Sequence, residues 1–335
     1  MKSNGTMASL ENRLTVKGSI RWLFGMREFT LVLMIALMFV VIPIFQPKFA
    51  TQANVITTLL SVSTKGIVGI GVTYILVSGA LDLSVGGVVA LICAVFGAVY
   101  HGTGSLAFAL GCSLTIGILC GAINGILVTR FRLSAFIATL AMMGIARGIT
   151  YVLTKGTPIK LTDIPEGYKV LGTGTVANFP YVVILFIVLA VLAHIMLKKS
   201  KVLRQNVYTG SNEKAARYSG VNTKKVIVMT FVLIGILCWV AAQMSVARFL
   251  TASPSYGLSW ETELIAAAVI GGATLDGGEG SVIGTSLGLI LLGFVSSAML
   301  QLGVSVYWQN FVGSFILLVA VLFDAAVESR KRKAQ

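Results

Sequence analysis

Charge is scarce in this sequence. Only 11% of its 335 residues are Asp, Glu, Lys or Arg, where a soluble domain carries roughly a quarter. So few charges cannot cover a water-facing surface, which excludes an ordinary soluble enzyme. Acidic groups are the rarer sign, 12 against 26 basic ones. Only two histidines are present, His101 and His194, so a His-rich metal centre or a Ser/His/Asp triad is poorly supplied. The four cysteines, Cys93, Cys112, Cys120 and Cys238, fall inside apolar runs without metal-ligand spacing. They read as small packing residues. There is no Walker A pattern. The nearest glycine cluster, Gly277 to Gly284, lacks the lysine that a phosphate cradle needs. No cofactor, metal or ATP site is expected on this chain.

What is abundant is apolar surface. Hydrophobic residues make up 56% of the chain, and the mean hydropathy is +0.91. A membrane-crossing helix needs roughly 20 apolar residues. Ten segments approach that length: 29–45, 55–79, 84–100, 106–128, 133–154, 180–197, 226–247, 263–272, 281–300 and 310–327. The eighth, 263–272, is too short for a plain crossing helix and is expected to be half-embedded or extended by preceding residues. A signal peptide is the rival reading of the first run, but that run is long for one and many spans follow. The fold class is therefore all-α, a polytopic membrane helix bundle of about ten transmembrane helices.

A net charge of +14 would suggest nucleic acid in a soluble chain. Here position matters more. Residues 1–28, the 129–132 turn, the 198–225 loop and the 328–335 tail hold 19 of the 26 basic residues. With ten spans, all four lie on one side, and the positive-inside rule makes that side cytoplasmic. Both termini are then cytoplasmic, and no nucleic-acid partner is needed. The chain divides into a tail (1–28), a membrane domain (29–327) with a cytoplasmic loop (198–225), and a basic tail (328–335). Trp22, Trp260 and Trp308 sit near span ends, as an interfacial belt would place them.

Two glycine ladders, Gly117/Gly121/Gly125 and Gly280/Gly284/Gly288, each fall on one helix face and imply close helix approach. Two stretches, Gly79–Gly86 and Ala273–Gly278, both place Leu-Asp after a small-residue turn, as a repeat would. Polar groups within or beside apolar runs are costly and often functional. They are Lys65, Asp82, Asn124, Thr139, Arg147, Gln243, Glu261, Glu263 and Asp324. Asp82 suits either the cap of the third span or a place in a substrate path. Asn124 suits either an interhelical hydrogen bond or that path. Arg147 could pair with Asp82 or Glu263. Asp324 is expected at the inner end, facing water or tail lysines. The sharpest local signal is the loop from Gly210 to Gly220. Ser211 can cap a two-turn helix holding Glu213 in its first turn, and Gly220 suits its left-handed stop. So short a helix needs something to dock on.

Four stretches carry a resemblance, in order: Ser78–Gly87, Phe136–Leu140 with Ala146-Arg147-Gly148, Gly210–Val221, and Glu261–Gly288. Together they resemble the permease subunits of bacterial ABC sugar importers of the ribose type, over roughly residues 50–325. Glu263 departs from the family's usual Asp, Ala141 from a usual Gly, and Lys65 from a usual uncharged residue. The resemblance implies a multi-pass protein of the bacterial inner membrane. It implies a second permease copy or paralogue, a cytoplasmic ATPase carrying ATP and Mg, an extracytoplasmic sugar-binding protein, and surrounding lipid. It implies that Gly210, Asn212, Glu213, Ala215, Ala216, Ser219 and Gly220 form the ATPase coupling loop. Asp82, Asn124, Thr139, Arg147 and Glu263 are the candidates for the substrate path. The implied function is import of a pentose or hexose by alternating access. Alternatives are a nucleoside or branched-chain amino acid permease, or an ion-coupled transporter using Asp82, Arg147 and Glu263 as a charge relay.

Overall fold

A computed structural model describes residues 27–305 and, beyond them, 307, 308, 311–315, 318 and 322. Twelve α-helices are described. They are α1 (Arg27–Phe45), α2 (Gln52–Val77), α3 (Val85–Thr103), α4 (Leu106–Thr129), α5 (Ala135–Thr154) and α6 (Glu166–Thr173). There follow α7 (Tyr181–Lys199), α8 (Gln205–Ser211), α9 (Glu213–Tyr218), α10 (Thr223–Phe249), α11 (Trp260–Ile270) and α12 (Val282–Gln301). Eight of these are long and apolar enough to cross a membrane: α1 to α5, α7, α10 and α12. The chain is therefore an all-α polytopic bundle. The tails at 1–26 and 328–335, with Trp22, lie outside the described residues, as does most of the tenth segment, 310–327, including Asp324.

The segment 263–272 resolves as α11, an 11-residue helix starting three residues earlier, at Trp260. At 1.5 Å per residue it is ~16 Å long, about half of a ~30 Å hydrocarbon core. Trp260 therefore opens a half-helix rather than closing a full span. Residues 250–259, a two-residue strand followed by consecutive turns, lead into α11, and Gly257 packs backbone to backbone on Gly86 at the start of α3.

α2 and α3 form the buried centre. α1 is mostly exposed and is held to α12 through a Phe39–Phe49–Phe294 cluster. The first glycine ladder does what its spacing predicts. A Cβ on Gly117 would lie 2.6 Å from the Gly235 carbonyl oxygen, and one on Gly125 2.7 Å from the Val228 Cα. Gly121 is equally tight against Phe231, so α4 and α10 cross nearly in backbone contact. The second ladder is shorter than expected. Gly284 packs on Gly271, the residue after α11, and Gly288 on Ala267 within it, but Gly280 precedes α12 and touches Val77 instead.

Four two-residue strands pair antiparallel outside the helices: β1 (Ile159–Lys160) with β4 (Thr251–Ala252), and β2 (Thr175–Val176) with β3 (Phe179–Pro180). The β1–β4 pair ties the 155–179 loop to the end of α10. α6 packs on that same end, where Tyr168 donates to Gln243 Oε1 at 2.7 Å. Burial pushes the Tyr168 phenol above its ordinary range. Gln243, one of the embedded polar groups, therefore fastens α6 to the bundle. Cys93, Cys120 and Cys238 are buried and all four cysteines are free.

Candidate functional site

Three regions gather the polar residues of the membrane domain. The first is a cleft of about 370 Å³ between α2, α11 and α12, with Val312, Gly313 and Ser314 on its remaining side. Small-molecule sites occupy roughly 300–1,000 Å³. Asn54, Thr57, Thr58, Ser61 and Lys65 line it from α2. Their spacing follows the helical period, so they form one stripe. Ser296 and Ser297 face them from α12, and Ser259, Thr262 and Glu263 come from the start of α11. Lys65 Nζ and Glu263 Oε2 form a salt bridge, with side chains 23% and 25% exposed. Asn54 Oδ1 accepts from Ser297 Oγ at 2.9 Å and from Gln301 Nε2 at 3.0 Å, joining α2 to α12. Of the residues expected in a substrate path, only Glu263 is here. The hydroxyl stripe escapes a sequence reading because Ser and Thr are common in membrane helices. The signal that could have found it is the i, i+3/i+4, i+7, i+11 recurrence from Asn54 to Lys65.

The second region is the 78–84 turn. Asp82, 3% exposed, neither caps α3 nor reaches the cleft. Its Oδ1 accepts from the Ser84 amide at 2.8 Å and the Ser84 hydroxyl at 2.6 Å. Asn124 Nδ2 then donates to Ser84 Oγ at 2.9 Å. Thr139 Oγ1 accepts from the Leu83 amide at 3.1 Å and donates to the Ala135 carbonyl at 2.7 Å. Asp82, Ser84 and Asn124 share a void of about 10 Å³, room for one water and no sugar. Asp82, Asn124 and Thr139 thus hold an irregular turn against α4 and α5, which is what buried backbone between membrane helices requires.

Arg147 is paired with neither Asp82 nor Glu263. Its Nη1 donates to the carbonyls of Pro254 and Tyr256, at 2.8 and 2.9 Å. It satisfies two carbonyls of the turns at 254–259 that lead into α11. A relay through Asp82, Arg147 and Glu263 has no direct contact to run through.

The third region is the α8–α9 pair. The α9 cap is Asn212, whose Oδ1 accepts from the Ala215 amide at 2.9 Å. Ser211 instead ends α8 and donates to the Val207 carbonyl. Glu213 bridges Arg217 and accepts from Thr223 at 3.0 Å, closing α9 onto the start of α10. Gly220 has φ +84, the left-handed stop expected of it. Ala215 and Ser219 are exposed, whereas Ala216 is 5% exposed and packs inward. Tyr218, which drew no notice in the sequence, is 93% exposed.

Gly210 sits apart from that exposed face. It packs on the Val77 carbonyl and within 2.6 Å, measured from an added Cβ, of the Gly278 amide. The Gly278 amide donates to the Val77 carbonyl at 2.8 Å. A Cβ on Gly277, at φ +88, would meet Gly79 Cα at 2.7 Å and Gly210 Cα at 3.1 Å. The two similar turns therefore touch each other and α8. Both leave their helix alike. Ala80 N–H bonds the Ile75 carbonyl and Ala273 N–H bonds the Ala268 carbonyl, after Gly79 and Gly272 at positive φ. This geometry pairs Gly79-Ala80 with Gly272-Ala273, one residue out of register with the Leu-Asp match.

Residues 54–322 match the family model described as branched-chain amino acid transport system / permease component. The ribose import permease protein RbsC of Haemophilus influenzae is 33% identical over 93% of this chain and 96% of its own. The ribose import permease protein of Bacillus subtilis is 35% identical over 85% of this chain and 88% of its own. The L-arabinose transport system permease protein AraH of Escherichia coli K12 is 32% identical over 91% of this chain and 92% of its own. No solved structure matches the chain. These matches and the eight apolar helices make it a multi-pass membrane protein, and the chain belongs to the ABC-importer permease family, among members similar to ribose-type sugar permeases.

Proposed function

We propose that this chain is the membrane subunit of an ATP-driven importer for an aldopentose in a bacterial inner membrane. The observation that carries the proposal is similarity over 85% or more of the chain to permeases named for ribose and L-arabinose. In this reading ten spans leave both termini, the 129–132 turn and the 198–225 loop in the cytoplasm. The C-terminal ends of α2, α4 and α7 and the start of α10 share one end of the bundle, as that orientation requires. Gly125 packs on Val228 there, and Gly210 on Val77.

The chain holds no Walker A sequence, so hydrolysis takes place on a separate ATPase. That partner docks on the α8–α9 segment, where Lys214, Arg217 and Tyr218 are exposed. A second permease copy or paralogue completes the membrane unit, and an extracytoplasmic binding protein delivers the sugar. Closure of the ATPase pair moves α8–α9 and rocks the bundle between outward-open and inward-open forms. The decisive experiment is uptake of labelled ribose and L-arabinose in vesicles containing the permease, its ATPase and its binding protein. Uptake is expected to need internal ATP and the ATPase subunit, and to survive collapse of the proton and sodium gradients. Uptake that follows an ion gradient without the ATPase overturns the reading.

A further inference from the structure

We propose that the cleft between α2, α11 and α12 is a sugar-binding station of the permease itself, and that the Lys65–Glu263 pair restricts it to neutral polyols. The inference rests on the orientation and function proposed above. It adds a site, a ligand class and the residues that select it.

Three observations support it. The first is a polar stripe where lipid-facing helices have none. From Asn54 to Lys65, twelve residues and a rise of ~16 Å along α2, every turn presents an amide, hydroxyl or ammonium group to the cleft. Polar groups facing hydrocarbon would be costly, and this stripe instead faces Ser296, Ser297, Thr262 and Glu263 across the cleft. The second is the hydrogen-bonding state of these groups. Thr57 and Thr262 donate to carbonyls of their own helical turns, leaving oxygen lone pairs for a ligand. These hydroxyls offer acceptors, the Lys65 ammonium adds donors, and the array carries no net charge, the chemistry that a ring of hydroxyls recognises. The third is the ion pair. One cation and one anion cancel, so the cleft attracts neither a carboxylate nor an ammonium ligand. A neutral sugar needs no counter-charge and can hydrogen bond to both members. Removing one member leaves the other to attract a ligand of opposite charge.

The test uses the full importer in vesicles, with Ser61→Cys as a reporter labelled by a membrane-impermeant maleimide from outside. The unmodified chain gives the background, since three of its cysteines are buried and Cys112 is partly so. Millimolar D-ribose is expected to slow labelling of Ser61→Cys several-fold, and millimolar D-ribonate, its anionic acid, is not. In Ser61→Cys/Glu263→Gln the order reverses in favour of ribonate. In Ser61→Cys/Lys65→Gln/Glu263→Gln the neutral preference returns. The last variant leaves no charge unpaired and keeps the test informative where a single substitution destabilises the chain. Labelling that no sugar slows overturns the station. So does a reporter that is never labelled. Protection by ribose with no change of preference on charge removal overturns the selecting role of the pair. ATP-dependent uptake by the unmodified importer, measured in the same vesicles, stands or falls independently of all three outcomes.

Discussion

Lys65 and Glu263 are 198 positions apart in the chain and bonded in space. Each is about three-quarters buried, so removing one strands the other in a poorly solvated place. Breaking a fully buried pair costs roughly 3–5 kcal/mol. Partial exposure lowers that, and Lys65→Met is expected to destabilise the purified protein by about 2 kcal/mol. The double variant Lys65→Met/Glu263→Leu should regain most of the loss. Urea or heat unfolding midpoints of the three proteins in one detergent check this. Thr139 makes a second case. Thr139→Val removes the acceptor for the Leu83 amide and should cost about 1–2 kcal/mol. Thr139→Ser keeps the hydroxyl and should stay close to the parent. Equal midpoints for Val and Ser would show that the bond to Leu83 carries no stability.

The helices join through glycine, and the joints differ in what they tolerate. Gly235 packs on the Gly117 carbonyl, where a side chain has no room, whereas Gly111 on the same α4 has nothing within 4 Å of an added Cβ. Gly235→Val should therefore separate α4 from α10 and sharply reduce folded yield, while Gly111→Ala should be neutral or slightly stabilising through helix propensity. Size-exclusion yield and midpoint measure both. Most long spans were legible because apolar length is a local property. The ends of α2 to α5, α7, α10 and α12 fall within three residues of those expected from sequence. The exceptional element, α11, was legible only as a segment too short to cross. What it lies against was not, because the 250–259 segment and the 271–281 loop that place it have no periodicity. Arg147 shows the same limit. A charge in an apolar run reads as half of an ion pair, and nothing local says that two carbonyls 107 and 109 positions away take its place.

For the whole molecule, the proposed energy input and the cleft lie on connected parts. α8 meets α2 and the 271–281 loop at Gly210, and that loop continues from α11, whose first turn holds Glu263. Tests of the ATPase contact must respect this packing. Glu213 closes α9 on α10 and Ala216 faces inward, so substituting either disturbs the element as well as its surface. Tyr218, 93% exposed, separates the two effects. Tyr218→Ala is expected to leave yield and midpoint unchanged and to weaken capture of the ATPase by about tenfold or more, the scale of an aromatic anchor. Undiminished capture would remove Tyr218 from the docking face.

Composition and motifs were enough to place the chain in a membrane, to locate its eight long apolar helices and to assign its family. Those properties rest on composition, on local apolar length and on short motifs, none of which needs a distant residue. Tertiary structure alone decided which polar groups meet. It sent Asp82, Asn124 and Thr139 to a closed turn and Arg147 to a backbone segment, and it drew Lys65 and Glu263 together in a hydroxyl-lined cleft. The reason is physical. A polar side chain at membrane depth must find a partner, and which partner it finds depends on how helices far apart in the chain cross.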